Sequence, residues 1–366
     1  MNPFSYQGPI APPHLIDRGL ELEALQTAAA NRVAIRLAAP RRFGKSSLLE
    51  AHVSAMRKVG HRAVRVDFSK VSTVGDVAVR LAHAYRGLPP EPGRVVSRWA
   101  ERLGITATAA GVGFTVAPRA PRMAADEARA ALLQLLEVPR ALFEKDGELT
   151  VICFDEFQDL LVADDALDGL FRSVIQHHGE AAAYVFAGSQ PSLMRALFSE
   201  YERPFYGQAR PLALGTLPPD EAANDIEALL EAEGLKADGV DQLLAFTGGH
   251  PQRTILLAHH LFELLDQGQD VQDPAAASLD LALTETADAL QALWDGFDRN
   301  ERVILLALSD GHAPTGTVVA SEHRIPRSSL KDGLDRLLAD ERHVRRDDSG
   351  TPYLLDPLFA EWLRRR

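Results

Sequence analysis

Residues 39–46 read Ala39-Pro-Arg-Arg-Phe-Gly-Lys-Ser46, and a later apolar run, Val151-Ile-Cys-Phe154, ends in Asp155-Glu156. The first stretch has the spacing of the phosphate-binding motif G-x-x-x-x-G-K-[ST]. In that motif backbone N–H groups surround phosphate oxygens, the lysine meets the terminal phosphates and the hydroxyl binds Mg²⁺. The only departure is Ala39, which stands where the motif has its first glycine. The two stretches together predict a site for a nucleoside triphosphate and a magnesium ion.

The composition is typical of a globular protein. The chain has 366 residues, of which 46% are hydrophobic and 25% charged, and its net charge is −12. This length favours two or three domains. The excess of acidic residues argues against a protein that binds nucleic acid over most of its surface. Local basic faces are compatible with this net charge. The sequence contains no apolar run of about 18 residues and no signal-peptide pattern at its start, so we expect a cytoplasmic protein without a membrane segment.

Short apolar runs alternate with helical periodicity through the first part of the chain. Five runs have strand character, and they lie at residues 33–38, 63–68, 149–154, 182–187 and 211–214. Helical patterns separate them, which is typical of a parallel sheet covered on both faces. An inserted surface hairpin is predicted at about 87–122. Helical periodicity resumes after it, over 124–143. The predicted fold class is therefore α/β, with a five-stranded parallel core over residues 1–217.

The remainder of the chain has helical periodicity. Residues 220–233, 240–246 and 251–265 predict the three helices of a small all-helical lid, which we assign to 218–285. Three further helices are predicted at 300–308, 315–322 and 328–339, followed by a hairpin over 343–355 and a last helix at 357–366. Three helices followed by a hairpin describe a winged-helix domain, which we assign to 286–366.

Hydrolysis of a nucleoside triphosphate requires a phosphate loop, a lysine, a metal, an oriented water and often an arginine. Lys45 is the loop's cation, and Ser46 and Asp155 are the expected ligands of Mg²⁺. Glu156 is the candidate to polarise the attacking water. Ser189 follows the fourth predicted strand and is expected either to touch the γ-phosphate or water, or to cap the next helix.

Three arginines are candidates for the cation that neutralises the transition state. Arg203 and Arg210 lie between the helix after the fourth strand and the last strand, where each either reaches a neighbouring subunit's γ-phosphate or forms a surface salt bridge. Arg253 begins a lid helix and is a candidate to sense the phosphate of its own chain. His250, three residues earlier, has no second ligand at a metal-binding spacing and is interpreted as a structural histidine.

Seven short stretches carry a resemblance to a known family. They are Ile16-Asp-Arg-Gly-Leu-Glu-Leu22, Pro40-Arg-Arg-Phe-Gly-Lys-Ser-Ser-Leu-Leu49, Phe154-Asp-Glu-Phe-Gln-Asp159, Ala187-Gly-Ser189, Pro204-Phe-Tyr-Gly207, Gly248-Gly-His-Pro251 and Tyr353-Leu-Leu-Asp-Pro357. With them the chain resembles archaeal-type ATPases of the STAND and AAA+ division of P-loop proteins, a group related to the origin-recognition initiator ATPases. The resemblance covers nearly the full length and implies a core sheet of the ASCE/AAA+ type.

The resemblance also implies that ATP or ADP is bound together with Mg²⁺. Ile16 and Arg18 are then expected beside the adenine, and the turn that ends in Pro251 is expected to close over it. The residues implied to bind the phosphates are Ala39, Pro40, Arg41, Arg42, Phe43, Gly44, Lys45, Ser46 and Ser47. Besides Ala39, one position departs from the family: Gln208 stands where an arginine usually follows Tyr-Gly, which leaves Arg203 or Arg210 to replace it.

The winged helix raises the question of a DNA partner. From Asp295 to the end the chain has 12 basic and 13 acidic residues, which is not typical of a strong duplex binder. Its basic residues nevertheless cluster where groove and backbone contacts are made, around the start of the candidate recognition helix and on the wing: Arg324, Arg327, Lys331, Arg342, Arg345 and Arg346. Winged helices also dock proteins, so duplex DNA and an unknown protein partner both remain open.

Three functions are compatible with these residues. The first is an ATP-hydrolysing switch ATPase whose nucleotide state controls the lid, the winged helix and the formation of homo-oligomers. The second is a DNA-binding initiator or loader that assembles on duplex DNA, for which salt-dependent duplex binding that needs ATP would be diagnostic. The third is a regulatory scaffold that keeps its nucleotide without hydrolysis, so that Glu156→Gln would leave turnover unchanged with nucleotide still bound.

Overall fold

The computed structural model describes residues 1–8, 10, 15–86, 88, 124–268 and 271–366. They divide into two compact units. The sheet unit comprises Gly19–Ala39 and Lys45–Leu214, and the helical unit comprises Met1–Arg18, Pro40–Gly44 and Gly215–Arg366. The hairpin predicted at about 87–122 lies, apart from Leu88, outside the described residues.

Five parallel strands form the centre of the sheet unit. They are β1 (Ile35–Ala38), β2 (Arg62–Asp67), β3 (Thr150–Asp155), β4 (Ala182–Gly188) and β5 (Arg210–Ala213), in the order β2-β3-β4-β1-β5. Each neighbouring pair is parallel. Every residue of β3 and β4 is buried, as expected for strands covered on both faces. The predicted α/β class with a five-stranded parallel core is therefore confirmed.

Helices connect the strands of the sheet unit. They are α1 (Gly19–Ala30), α2 (Lys45–Lys58), α3 (Val74–Arg86), α4 (Ala125–Leu136), α5 (Val138–Asp146), α6 (Leu160–Ala163), α7 (Leu167–Ile175) and α8 (Pro191–Ser199). The helical periodicity predicted over 124–143 corresponds to two helices, because α4 ends at Leu136 and α5 starts at Val138, with Glu137 between them. Pro139, in the first turn of α5, has no N–H to extend the hydrogen bonds of α4, and its ring would crowd the preceding turn.

Aromatic rings fix the carboxyl end of β3. Phe154 packs on Phe171 with ring centroids 5.6 Å apart, and Phe157 packs on Phe186 at 4.8 Å and on Phe205 at 5.4 Å. All five rings are at most 1% exposed. Because two of them flank residues 155 and 156 in the chain, the backbone that carries the two candidate acidic residues is anchored on both sides.

The helical unit contains the predicted lid and winged-helix elements. Its helices are α9 (Pro219–Ala232), α10 (Val240–Thr247), α11 (Pro251–Asp266), α12 (Pro274–Asp295), α13 (Arg299–Ser309), α14 (Thr317–His323), α15 (Arg327–Asp340) and α16 (Pro357–Arg364). The hairpin pairs β6 (Val344–Arg346) with β7 (Pro352–Leu354). One apolar core runs through the unit. The helix α12 continues through residues 285 and 286. The boundary between lid and winged helix that we assigned there stays a prediction.

The turn between α10 and α11 requires glycine. Gly248 and Gly249 have φ values of 55° and 70°. A Cβ on Gly249 would lie 2.2 Å from the carbonyl oxygen of Leu217, whose own N–H donates to the Gly249 carbonyl at 2.8 Å. His250 then caps α11, since its Nδ1 accepts from the N–H of Arg253 at 3.4 Å. The turn thereby sets the position of Arg253 in the first turn of α11.

Through the described part of the chain, no helix combines the length and the apolar character that crossing a bilayer requires.

Candidate functional site

The side chain of Lys45, which follows the loop after β1, turns back toward the end of that strand. Lys45 is 5% exposed, and its Nζ donates to the carbonyl oxygen of Ala39 at 2.8 Å. The left-handed residues of the loop are Arg42, with φ 69°, and Gly44, with φ 82°. Ala39 is not among them, so an alanine at the motif's first glycine position causes no backbone strain. Since α2 begins at Lys45, the first N–H groups of that helix follow the loop directly and suit an anion.

Two oxygen ligands converge next to the loop. Ser46 Oγ donates to Asp155 Oδ2 at 2.9 Å, and Asp155, the last residue of β3, is 1% exposed. Carboxylate and hydroxyl oxygens suit Mg²⁺, which usually takes few protein ligands and completes its shell with water and phosphate oxygens. Within the described ranges, no group of three or more His, Cys, Asp or Glu side chains could hold a metal. The donors therefore fit Mg²⁺ bound together with a phosphate.

Glu156 accepts hydrogen bonds from Ser189, which follows the neighbouring strand, and from nearby Gln158. Its Oε2 accepts from the Ser189 N–H at 3.0 Å, from Ser189 Oγ at 2.7 Å and from Gln158 Nε2 at 2.6 Å. Ser189 directly follows β4, and the parallel order places the end of β4 beside the end of β3. Gln190, not Ser189, is the N-cap of α8, so Ser189 does not take the capping role considered above. Its hydroxyl instead orients the candidate base.

Arg65, in the middle of β2, contacts the Asp155 carboxylate and was not predicted from the sequence. Its Nε donates to Asp155 Oδ2 at 3.0 Å, and its Nη1 donates to Glu50 Oε1 at 2.9 Å. Burial alone would lower the pKa of Arg65, but the charges of the two carboxylates raise it above its ordinary value. A charged residue inside a strand of a covered sheet must be paired, and that is the signal by which the sequence could have revealed it.

In the helical unit, Arg253 is held by the winged helix. It is 2% exposed, and its Nε and Nη2 donate to the two carboxylate oxygens of Asp356 at 2.9 and 2.5 Å. Asp356 also caps α16, accepting from the N–H groups of Leu358 and Phe359. Nη1 of Arg42, from the phosphate loop, lies 3.8 Å from Asp356 Oδ2. Burial alone would raise the pKa of Asp356, but the arginine charges and the Arg253 hydrogen bonds hold it below its usual value.

The loop residues of the helical unit also contact the start of α11. The carbonyl oxygen of Arg42 accepts the Gln252 N–H at 3.3 Å, and the Phe43 ring packs edge-on against His250 with centroids 5.0 Å apart. Burial lowers the pKa of His250 to about 4, so its imidazole is neutral at pH 7. Its contacts are those of a packing and capping residue. Of the other residues assigned to the nucleotide, Pro40, Ser47 and Pro251 are buried and Arg41 is exposed.

The residues predicted to lie beside adenine belong to the helical unit. Ile16 is 2% exposed in the apolar core of that unit. Arg18, with φ 76°, donates from Nη2 to the Gly215 carbonyl at 2.6 Å, and the Asp17 N–H donates to Asp225 Oδ2 at 2.6 Å. These contacts attach the segment to the beginning of the lid. Its contact with adenine stays a prediction.

The two arginines predicted to reach a neighbouring subunit both lie in the sheet unit. Arg203 Nη1 lies 3.4 Å from Asp168 Oδ2, in an ion pair within the sheet unit. Arg210 is the first residue of β5 and pairs with Ile35, the first residue of β1. The phosphate loop follows the last residue of β1, at the carboxyl ends of the strands. Arg210 therefore lies at the other end, where the strands begin. A role for either arginine toward a neighbouring subunit stays a prediction.

The basic residues of the winged helix surround α15 and the hairpin. Arg324, Arg327 and Lys331 are exposed around the start of α15. On β6, Arg345 is half-buried, and the exposed Arg346 donates to the Gly350 carbonyl at 2.7 Å. These three exposed cations lie at the amino end of α15, which follows α14 and a short turn. In DNA-binding proteins built on a helix-turn-helix, residues at this position contact phosphates and the groove.

No protein-family profile and no curated protein matches the sequence. Solved structures match it in fold. A Walker-type ATPase of Pyrococcus abyssi superposes with a TM-score of 0.69 at 19% identity, over 99% of both chains. The ORC2 protein of Aeropyrum pernix, in ADPNP and ADP complexes, gives 0.60 at 14% identity over 99% of this chain and 96% of its own. The A. pernix ORC1 protein in complex with DNA gives 0.50 at 14%, over 96% and 93%. The resemblance to P-loop ATPases of the origin-recognition type is confirmed in the fold.

Proposed function

We propose that this protein binds ATP with Mg²⁺ and hydrolyses it as a switch ATPase, with the nucleotide state controlling the lid and the winged helix. One observation supports this most directly. Lys45, the Ser46–Asp155 pair and Glu156 meet at the carboxyl edge of three neighbouring strands of the sheet. A cation, a metal-ligand pair and a base are what phosphoryl transfer to water requires.

In this proposal each side chain has one task. Lys45 neutralises the β- and γ-phosphates, and Ser46 and Asp155 hold Mg²⁺, which supplies further positive charge when bound. Glu156 accepts the proton of the attacking water while the γ-phosphoryl group leaves ADP. Ser189 and Gln158 already donate to Oε2 of Glu156. The attacking water is therefore expected to donate to Oε1 of Glu156, or to replace one of the two donors at Oε2.

The contact between Arg253 and Asp356 supports the switch part of the proposal. The winged helix contributes the carboxylate, the lid contributes the buried arginine, and the phosphate loop contributes Arg42 at 3.8 Å. A phosphate bound to the loop is a second anion for Arg42 and weakens its attraction to Asp356. Nucleotide binding and the winged helix are thereby coupled through one carboxylate.

ATP turnover and nucleotide binding of wild type and Glu156→Gln test the proposal. The exposed residue Glu144, whose partner is Arg140 on the same helix, provides a matched control as Glu144→Gln. We expect Glu156→Gln to lower turnover by about a hundredfold or more while ATP still binds, and Glu144→Gln to behave as wild type. Equal turnover by wild type and Glu156→Gln would refute hydrolysis at this site. A wild type that retains nucleotide without turnover would support the scaffold alternative.

A second candidate function, binding of duplex DNA, is favoured by the exposed cations around α15. The A. pernix ORC1 protein, which shares the fold, was solved in complex with DNA. Fluorescence anisotropy with a labelled duplex, with and without ATP, at salt concentrations from about 50 to 200 mM tests it. Binding that needs ATP and falls steeply with salt supports an initiator or loader that assembles as a homo-oligomer, which particle size would show. Loss of salt dependence or of binding would favour a protein partner.

A further inference from the structure

Arg65 places a fixed positive charge against the carboxylate that is proposed to hold Mg²⁺. Its Nε donates to Asp155 Oδ2 at 3.0 Å, and its Nη2 lies 2.9 Å from the same oxygen. Ser46 Oγ is the third donor to Oδ2, at 2.9 Å. The other oxygen, Oδ1, accepts the Glu156 N–H at 3.1 Å. Both oxygens of Asp155 are therefore hydrogen-bonded within the protein.

The ion pair is buried and belongs to a row of alternating charges. The side chains of Asp155 and Arg65 are 2% and 18% exposed. On its other side, Arg65 Nη1 donates at 2.9 Å to Glu50 on α2, and Nη2 lies 3.7 Å from Asp67. Charges this close interact strongly where little water screens them. The guanidinium therefore neutralises Asp155 through short contacts that are already formed.

We infer that Arg65 is the counter-ion of Asp155, competes with Mg²⁺ for this carboxylate and thereby sets how much Mg²⁺ the site requires. A metal ion that binds Oδ2 shares this oxygen with two guanidinium nitrogens or displaces them, which lowers its affinity. A nucleotide without metal meets a carboxylate whose charge is already neutralised, so it is not repelled. The inference rests on the proposed nucleotide site, but it does not depend on hydrolysis.

The arrangement makes Glu50 and Arg65 act in opposite directions. Removing Arg65 leaves Asp155 free for the metal but leaves its charge uncompensated when no metal is present. Removing the charge of Glu50 takes away the second short carboxylate contact of the guanidinium, so Arg65 is held more tightly by Asp155. The first change is expected to lower the Mg²⁺ requirement, and the second to raise it.

Binding of fluorescent mant-ADP, titrated with Mg²⁺ from an EDTA-containing buffer, measures this directly. Arg65→Gln is expected to lower the Mg²⁺ midpoint by about tenfold and to weaken metal-free binding by a similar factor. Glu50→Gln is expected to move the midpoint upward. The control is Arg62→Gln, because Arg62 is also a buried arginine of β2 but pairs with Asp146 and the Glu148 carbonyl. Its midpoint is expected to equal that of wild type.

Normal mant-ADP binding by Arg65→Gln with an unshifted Mg²⁺ midpoint would overturn the inference alone. No binding by the wild-type protein at any Mg²⁺ concentration would overturn the proposed function and the inference with it. Should Arg65→Gln fail to fold, Glu50→Gln decides, because Glu50 is 43% exposed and lies on the helix surface. A higher Mg²⁺ midpoint in Glu50→Gln than in wild type supports the role of Arg65 as counter-ion. An unchanged or lower midpoint overturns that role.

Discussion

Replacing Asp356 with asparagine separates two roles of this residue. Asparagine caps a helix about as well as aspartate, so the hydrogen bonds from Leu358 and Phe359 are expected to persist. The negative charge that faces Arg253 is lost, and the guanidinium stays 2% exposed without a counter-ion. Removing one partner of a buried ion pair costs about 3–5 kcal/mol. Since the Asp356 side chain is 18% exposed, we expect a loss near the lower end, about 3 kcal/mol.

Urea unfolding followed by tryptophan fluorescence measures this loss, because Trp294 and Trp362 both lie in the helical unit. Asp298→Asn is the matched control. Asp298 caps α13 in the same way, but its ion pair with Arg336 is exposed. We expect that control to cost less than about 1 kcal/mol. A loss below about 1 kcal/mol for Asp356→Asn, or equal losses for the two variants, would refute the reasoning that this pair attaches the lid arginine to the winged helix.

Three further changes have defined outcomes. Ser189→Ala removes the 2.7 Å hydrogen bond that orients Glu156, so turnover should fall by about ten- to a hundredfold at unchanged ATP affinity; unchanged turnover would mean that this bond does not orient the base. His52 is fully buried, its ring nitrogens have no partner among the described residues, and burial lowers its pKa to about 4. The unfolded chain therefore binds a proton between about pH 6.5 and 4 that the folded chain does not, and stability falls as the pH falls through that window. His52→Leu should flatten this dependence and raise the free energy of unfolding at pH 7 by about 1 kcal/mol in denaturant titrations, and an undiminished slope would contradict it. If the winged helix binds duplex DNA, Lys331→Ala should reduce the slope of log K against log salt by about 0.9, and an unaltered slope would place the phosphate contacts elsewhere.

The sheet was predictable because its strands are short apolar runs in a parallel, covered arrangement. Their order was not, since pairing depends on contacts between distant segments. Once β4 lies between β3 and β1, Glu156 meets Ser189, which the sequence presented only as two polar residues after two strands. The break at Glu137 was within reach of sequence reasoning, because Pro139 disfavours a continuous helix there.

The residues that sequence reasoning missed act through partners far away in the chain. Arg65 lies in a strand-like run, and only the pairing of β2 with β3 brings it to Asp155. Asp356 was part of a recognised stretch without a role, and its partner Arg253 is 103 residues away. Arg253 pairs with this carboxylate in the structure, and its expected role in sensing phosphate stays a prediction. Local pattern identifies the chemistry of a side chain, whereas its partner depends on the tertiary fold.

Calorimetric titration of ATP and Mg²⁺ into wild type, Lys45→Ala and Lys58→Ala tests the central claim most directly. The two lysines stand at opposite ends of α2: the first is 5% exposed inside the phosphate loop, and the second is exposed in the last turn. Saturable binding by wild type and Lys58→Ala, with affinity about a hundredfold weaker or undetectable in Lys45→Ala, is the predicted result. Equal ATP affinity in wild type and Lys45→Ala would contradict a nucleotide site in this loop.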